Sequence, residues 1–149
     1  MTKLFCAALT AVALIAAVPR ASAQDKAAGN SLKVNVHYTG SGTVDDKHKV
    51  LVFLFDSPEF IHGQGMPFTN QGISSKDGSV TFPNVTQSTV YVSTVYDPSG
   101  NYDGQSGPPP AGASLGLYAK TAGEPAPVTL EAGKTVAIDL SFDDSYKMQ

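Results

Sequence analysis

The chain has 149 residues, a formal net charge of −3 and a single cysteine, with 42% hydrophobic and 15% charged residues. That is enough chain and enough apolar material for one domain with its own core. It excludes a disulfide framework, and it leaves no clustered positive charge of the kind that nucleic acid or an anionic membrane surface demands.

The first 23 residues read as an export signal. Lys3 gives a basic start, residues 4–18 are apolar apart from Thr10, and Ala21-Ser22-Ala23 supplies the small residues of a cleavage site. The apolar run is shorter than the roughly 20 residues that span a bilayer. Cleavage after Ala23 therefore predicts a secreted or periplasmic protein, free of Cys6, Lys3 and Arg20. Eight lysines and no arginine then face thirteen acids, a net charge of about −5. No later segment is apolar over a membrane-spanning length, so no integral membrane segment is expected in the mature chain.

Residues 24–31 (QDKAAGNS) are small and polar and read as a flexible leader; residues 32–142 carry the domain. Residues 32–38 alternate, with Leu32, Val34, Val36 and Tyr38 on one side and Lys33, Asn35 and His37 on the other, the mark of a half-buried strand. Residues 40–49 form an exposed connection. Residues 50–55 (VLVFLF) are apolar on both faces, so the second row needs a cover. Residues 56–71, with Phe60, Ile61, Met66 and Phe68, are expected to fold back over it; a partner surface is the alternative.

Ser75-Lys76-Asp77-Gly78 reads as a hairpin turn with glycine at positive φ. The central stretch, GSVTFPNVTQSTVYVSTVYDPSGNYDG at 78–104, holds a strand with Val80 and Phe82, a Pro-Asn-Val bend, and a longer strand with Val90, Val92, Thr94 and Tyr96 turned inward. Residues 105–112 (QSGPPPAG) are a proline-stiffened connection and 115–118 a brief edge strand. Residues 128–130 and 135–142 are expected to pair as a second hairpin across Glu131-Ala132-Gly133-Lys134, with Val136, Ile138, Leu140 and Phe142 inward. The tail, 143–149, is polar and expected to fray. No segment after the signal repeats its apolar residues at a helical period. The pattern predicts an all-β protein, an antiparallel Greek-key β-sandwich of about seven strands.

The 78–104 stretch and the closing PVTLEAGKTVAIDLSF resemble the transthyretin-like (prealbumin-like) superfamily, which includes carboxypeptidase regulatory-like and collagen-adhesin B-type domains. The match covers about half of the mature chain and implies a prealbumin-like sandwich. It carries over no activity. The hydroxyisourate hydrolase branch of that superfamily ends in a Tyr-Arg-Gly-Ser signature and uses His and Arg, whereas this chain ends Ser145-Tyr146-Lys147-Met148-Gln149 with no arginine beyond residue 20.

Asp97, Ser99, Asn101 and Asp103 place oxygen-bearing side chains at alternate loop positions, a spacing that can wrap a Ca²⁺ ion. The helix-loop-helix calcium pattern is not met, since the glycines are misplaced and Pro108 stands where a bidentate Glu belongs. The alternative is a loop whose Asp and Ser side chains cap their own turns. Apart from that calcium candidate no cofactor is expected. His37, His48 and His62 show no ligand spacing and read as solvated. There is no Gly-x-Ser-x-Gly elbow, and the acid pairs Asp45-Asp46 and Asp143-Asp144 read as hydrated. Tyr96, Tyr102 and Tyr118 are the candidate ligand platform near the 97–104 loop, with packing as the simpler role.

The expectation is thus a non-enzymatic binding or accessory module whose contacts lie on the loops 56–71 and 97–112, with an unidentified protein or envelope component as partner. The alternative is an assembly subunit pairing through an apolar sheet face or open edge. A hydrolase of unrecognised type ranks third.

Overall fold

A computed structural model describes residues 29–149. The expected export signal and residues 24–28 of the leader lie outside the described residues. The described residues are all-β, with ten strands: β1 (Asn30–Tyr38), β2 (Val50–Phe55), β3 (Thr69–Ile73), β4 (Asp77–Val85), β5 (Thr89–Tyr96), β6 (Ser114–Leu117), β7 (Ala119–Thr121), β8 (Glu124–Pro125), β9 (Val128–Thr129) and β10 (Thr135–Phe142). One 3-10 turn, Pro58–His62, interrupts them.

Two sheets pack face to face. One has the order β10-β1-β4, the other β3-β2-β5-β6 with β9 attached to β5, and β7-β8 form a separate ribbon. Neighbours pair antiparallel except β1 and β10, which run parallel in unbroken register from Ser31↔Thr135 to Tyr38↔Phe142. An all-antiparallel sandwich therefore needs that one amendment. A parallel pair cannot be closed by a tight turn, and β1 and β10 stand at opposite ends of the domain.

The core lies where the alternation places it. Leu32, Val34 and Val36 of β1 and Val50, Val52 and Leu54 of β2 are all fully buried, meeting Val90 and Val92 of β5 and Leu140 of β10. At one end Tyr38 packs between Tyr96 and Phe142, with ring centroids 4.6 and 4.9 Å away.

Both expected hairpins are bridges between the two sheets. β3 pairs β2 while β4 pairs β1, so 74–76 crosses the sandwich; β9 pairs β5 while β10 pairs β1, so 130–134 does the same. A turn signal specifies a reversal of the chain, but the choice of sheet belongs to the apolar faces that must be buried. Gly78 supplies no positive φ. It sits inside β4, where an added Cβ would stand 2.3 Å from Cγ2 of Ile73. The expected Pro-Asn-Val bend is the end of β4 itself, with Asn84 in the left-handed region at φ 55° and Val85 still paired with Asn30; residues 86–88 make the connection to β5.

Thr94 is fully buried between the sheets, and its hydroxyl is the buried side-chain polar atom without a partner among the described residues. Valine has the same shape without the unpaired hydroxyl, so Thr94→Val is expected to raise stability by about 1 kcal/mol, some 4 °C in Tm on thermal melting.

Candidate functional site

The second apolar row of β2 organises the site. Phe53 and Phe55 point away from the inter-sheet core and join Val95 and Ala113 in a separate buried cluster, against which Leu51, Phe60, Tyr91, Tyr102, Leu115 and Met148 pack. Segment 56–71 does fold back in part. Ser57 caps the 3-10 turn by accepting from the Glu59 N–H at 3.2 Å, Pro58 opens it, and Gly63 closes it at φ 72°. That turn lays the Phe60 ring flat on Phe55, centroids 4.1 Å apart and planes 12° from parallel.

The cover is incomplete. Ile61 (43% exposed) and Met66 (68%) stand beside the aromatic cluster without closing over it, and Phe68 (40%) lines a smaller cleft near Pro83. Between this segment and the proline-rich loop opens an apolar groove of about 930 Å³. Its floor is Phe53, Phe55 and Val95, one wall is Phe60, Ile61 and Met66, and the other is Tyr102 with Pro108 and Pro109. Leu115 of β6 and Tyr146 and Met148 of the tail complete it, and among the described residues no charged side chain lines it.

The tail does not fray. Gly112 N–H donates to Met148 O at 2.8 Å, Met148 N–H to Ala113 O at 2.9 Å and Leu115 N–H to Tyr146 O at 2.9 Å, and Ser114 bridges Lys147 in an antiparallel sense. This extends β6 outward by one more strand-like pairing. What pins it is Asp144, whose carboxylate accepts from Tyr38 Oη (2.5 Å), Ser114 Oγ (2.7 Å), Ser41 N–H (2.8 Å) and Ser41 Oγ (2.9 Å). The Tyr38 hydrogen bond, with those from Ser41 and Ser114, holds the Asp144 carboxyl well below the usual carboxylate range, while burial pushes the Tyr38 phenol up to about 12. Asp144 is therefore a half-buried anchor, not one of a hydrated pair. Asp143 stays exposed and caps Ser145.

The loop expected to wrap a cation closes on itself. Asp97 is buried and its oxygens accept from Ser99 N–H (2.9 Å), Ser99 Oγ (2.6 Å), Asn101 N–H (3.0 Å) and Tyr102 N–H (3.0 Å). Burial alone would raise its pKa, but these donors outweigh it and hold the carboxyl below its ordinary value. Asp103 turns the other way and accepts from Gln105 N–H, Ser106 N–H and Ser106 Oγ at 2.8–3.0 Å. Asp97 and Asp103 thus cap two successive turns, the alternative reading of the alternating oxygens at Asp97, Ser99, Asn101 and Asp103. Among the described residues no group of three or more His, Cys, Asp or Glu is arranged to hold a metal. His37 pairs with Asp77 at 2.6 Å and His48 with Asp45 at 2.9 Å, both at the surface.

The three tyrosines are not one platform. Tyr102 lines the groove, its ring 6.3 Å from Phe53 and its hydroxyl donating to Gly107 O at 2.9 Å. Tyr96 is buried in the inter-sheet core, its hydroxyl donating to Thr43 O at 2.9 Å, and Tyr118 packs against the same core. The strand alternation that turns Tyr96 inward overrides its nearness to the loop in sequence. Asp97 shapes the groove at second hand, because its turn presents Tyr102.

The fold and site define a two-sheet β protein with an apolar groove on the outer face of its larger sheet. No family model, curated protein or solved structure matches the chain. Among the described residues no helix is long and apolar enough to cross a membrane.

Proposed function

We propose that this is an exported, non-enzymatic β-sandwich module of transthyretin-like, Greek-key type, which binds a small uncharged apolar ligand in the groove between segments 56–71 and 97–112. The observation that carries the reading is the groove itself. About 930 Å³ bounded by aromatic, aliphatic and proline side chains, with no charge among the described residues that line it, is the size and chemistry of a small-molecule site. Phe53, Phe55 and Phe60 give flat faces for an aromatic or acyl ligand, and the hydroxyls of Ser93, Tyr102 and Tyr146 are polar groups at hand. The export signal and the acidic, arginine-free mature chain support a role outside the cytoplasm. The arrangement of seven longer strands in two sheets supports the superfamily proposal.

The uncharged fluorophore N-phenyl-1-naphthylamine tests it. Saturable fluorescence enhancement at one site per chain is expected from the native protein, and Ile61→Asp is expected to weaken binding about tenfold by placing a charge in the apolar wall. Ile61 is partly exposed, so Tm should move by no more than about 2 °C. No saturable enhancement, or equal binding by the variant, would remove the groove as the site.

A further inference from the structure

The four outer edges of the two main sheets are not treated alike. β4 is blunted by Pro83, which has no N–H, by a register shift against β1, and by the Gln71 amide donating to Thr81 O at 2.9 Å. β3 has only five residues, and β6 is covered by the tail. β10 is left open among the described residues. It runs eight residues without a break in register, with no proline and no lysine, and it ends its sheet.

The direction of its free groups follows from the ladder. Ser31 N–H donates to Lys134 O and Thr39 N–H to Phe142 O, so the even-numbered residues of this segment turn their backbone groups toward β1. The N–H and C=O of Thr135, Ala137, Asp139 and Ser141 therefore face outward along the edge. The only charge, Asp139, is drawn toward β1 by Asn35, whose Nδ2 donates to Oδ1 at 2.9 Å.

We propose that this edge pairs with β10 of a second copy of the chain, antiparallel about a two-fold axis at Ile138. The edge is self-complementary. That register sets Thr135 opposite Ser141 and Ala137 opposite Asp139, so every outward N–H and C=O finds a partner and both apolar rows stay on the core side. Moving the axis to Asp139 brings two carboxylates face to face, and moving it to Ala137 leaves Ser141 opposite Gly133, outside the strand. The pairing joins two three-stranded sheets into one continuous sheet and leaves the groove, on the other sheet, open.

Light scattering across a concentration series, with amide hydrogen exchange on the same samples, tests the pairing. The mass should double with concentration, and the amides of Thr135, Ala137, Asp139 and Ser141 should become at least tenfold slower to exchange as it does. Ala137→Pro removes an outward N–H without touching the β1 ladder, so it should fold and stay monomeric. If that variant does not fold, the exchange of the four amides in the unaltered chain decides. A monomer up to millimolar concentration would overturn the proposal, as would a folded Ala137→Pro dimer. Slow exchange of the four amides at monomer mass would also overturn it, because the edge would then be covered without a second copy.

Discussion

Asp144→Ala is expected to cost roughly 3 kcal/mol, a fall in Tm on the order of 10 °C, and to free the tail from β6. The carboxylate is the shared acceptor of Tyr38, Ser41 and Ser114, which come from β1, the β1–β2 connection and β6. A hydrogen bond to a charged acceptor contributes about 1.5–3 kcal/mol, and truncation leaves the hydroxyls of the buried Tyr38 and Ser114 without their partner. Thermal melting reads the stability loss. Faster hydrogen exchange at Leu115 and Met148, whose N–H groups donate within the tail pairing, reads the release. Since Tyr146 and Met148 form part of the groove, the same variant should also weaken apolar-ligand binding. A loss below about 1 kcal/mol, or unchanged exchange at those amides, would mean that the tail is held by its backbone pairing alone.

Asp144 also fixes a direction of pH dependence. Its native pKa lies below the ordinary 3.8, so its stabilising contribution is whole above that value and declines as the pH falls beneath it. Asp144→Asn should flatten stability against pH in that acid range. Asp45, Asp97, Asp103 and Asp143 are also held below their ordinary values by hydrogen bonds, so some acid sensitivity will remain.

Gly116→Ala is the second change expected to act strongly, lowering stability by about 3 kcal/mol. Gly116 is buried in β6 opposite Thr94, and an added Cβ would lie 2.2 Å from Thr94 Oγ1 and 2.6 and 2.7 Å from Phe142 Cγ and Cβ. The threonine hydroxyl can rotate, but Phe142 Cβ is fixed to the β10 backbone. The sheets must then separate locally, which is overpacking at the upper end of its usual cost. A chemical denaturation midpoint unchanged from wild type would show that β6 and β10 have room to part.

Much of this architecture is legible from residue patterns. The alternation of β1, β5 and β10 gives their buried faces directly, and the two-sided apolar row of β2 announces that something lies over the outer face of its sheet. Strand β3 escapes such a reading because TNQGI has one buried residue, Ile73, and is a strand only through its pairing with β2. The crossings at 74–76 and 130–134 escape it because turn chemistry is local while the choice of sheet is not. The groove was half legible. Phe60, Ile61 and Met66 stand out as apolar residues in a loop, and Tyr102 among the loop aromatics, but Met148 and Tyr146 sit in a tail whose polarity suggests solvent. Only the donors on Tyr38, Ser41 and Ser114, thirty or more residues away, turn Asp144 from a hydrated acid into an anchor. Likewise the alternating oxygens from Asp97 to Asp103 look the same in sequence whether they face a cation or their own backbone.

The methionines offer the most direct test of the groove. Met66 and Met148 are the only methionines beyond residue 1, and both line it. Their methyl resonances, followed by NMR during titration with N-phenyl-1-naphthylamine, should both shift and saturate together at one equivalent, while the methyls of Val34 and Val52 in the inter-sheet core stay in place. Saturable binding that leaves both methionine methyls unmoved, or moves the inter-sheet core instead, would contradict the account.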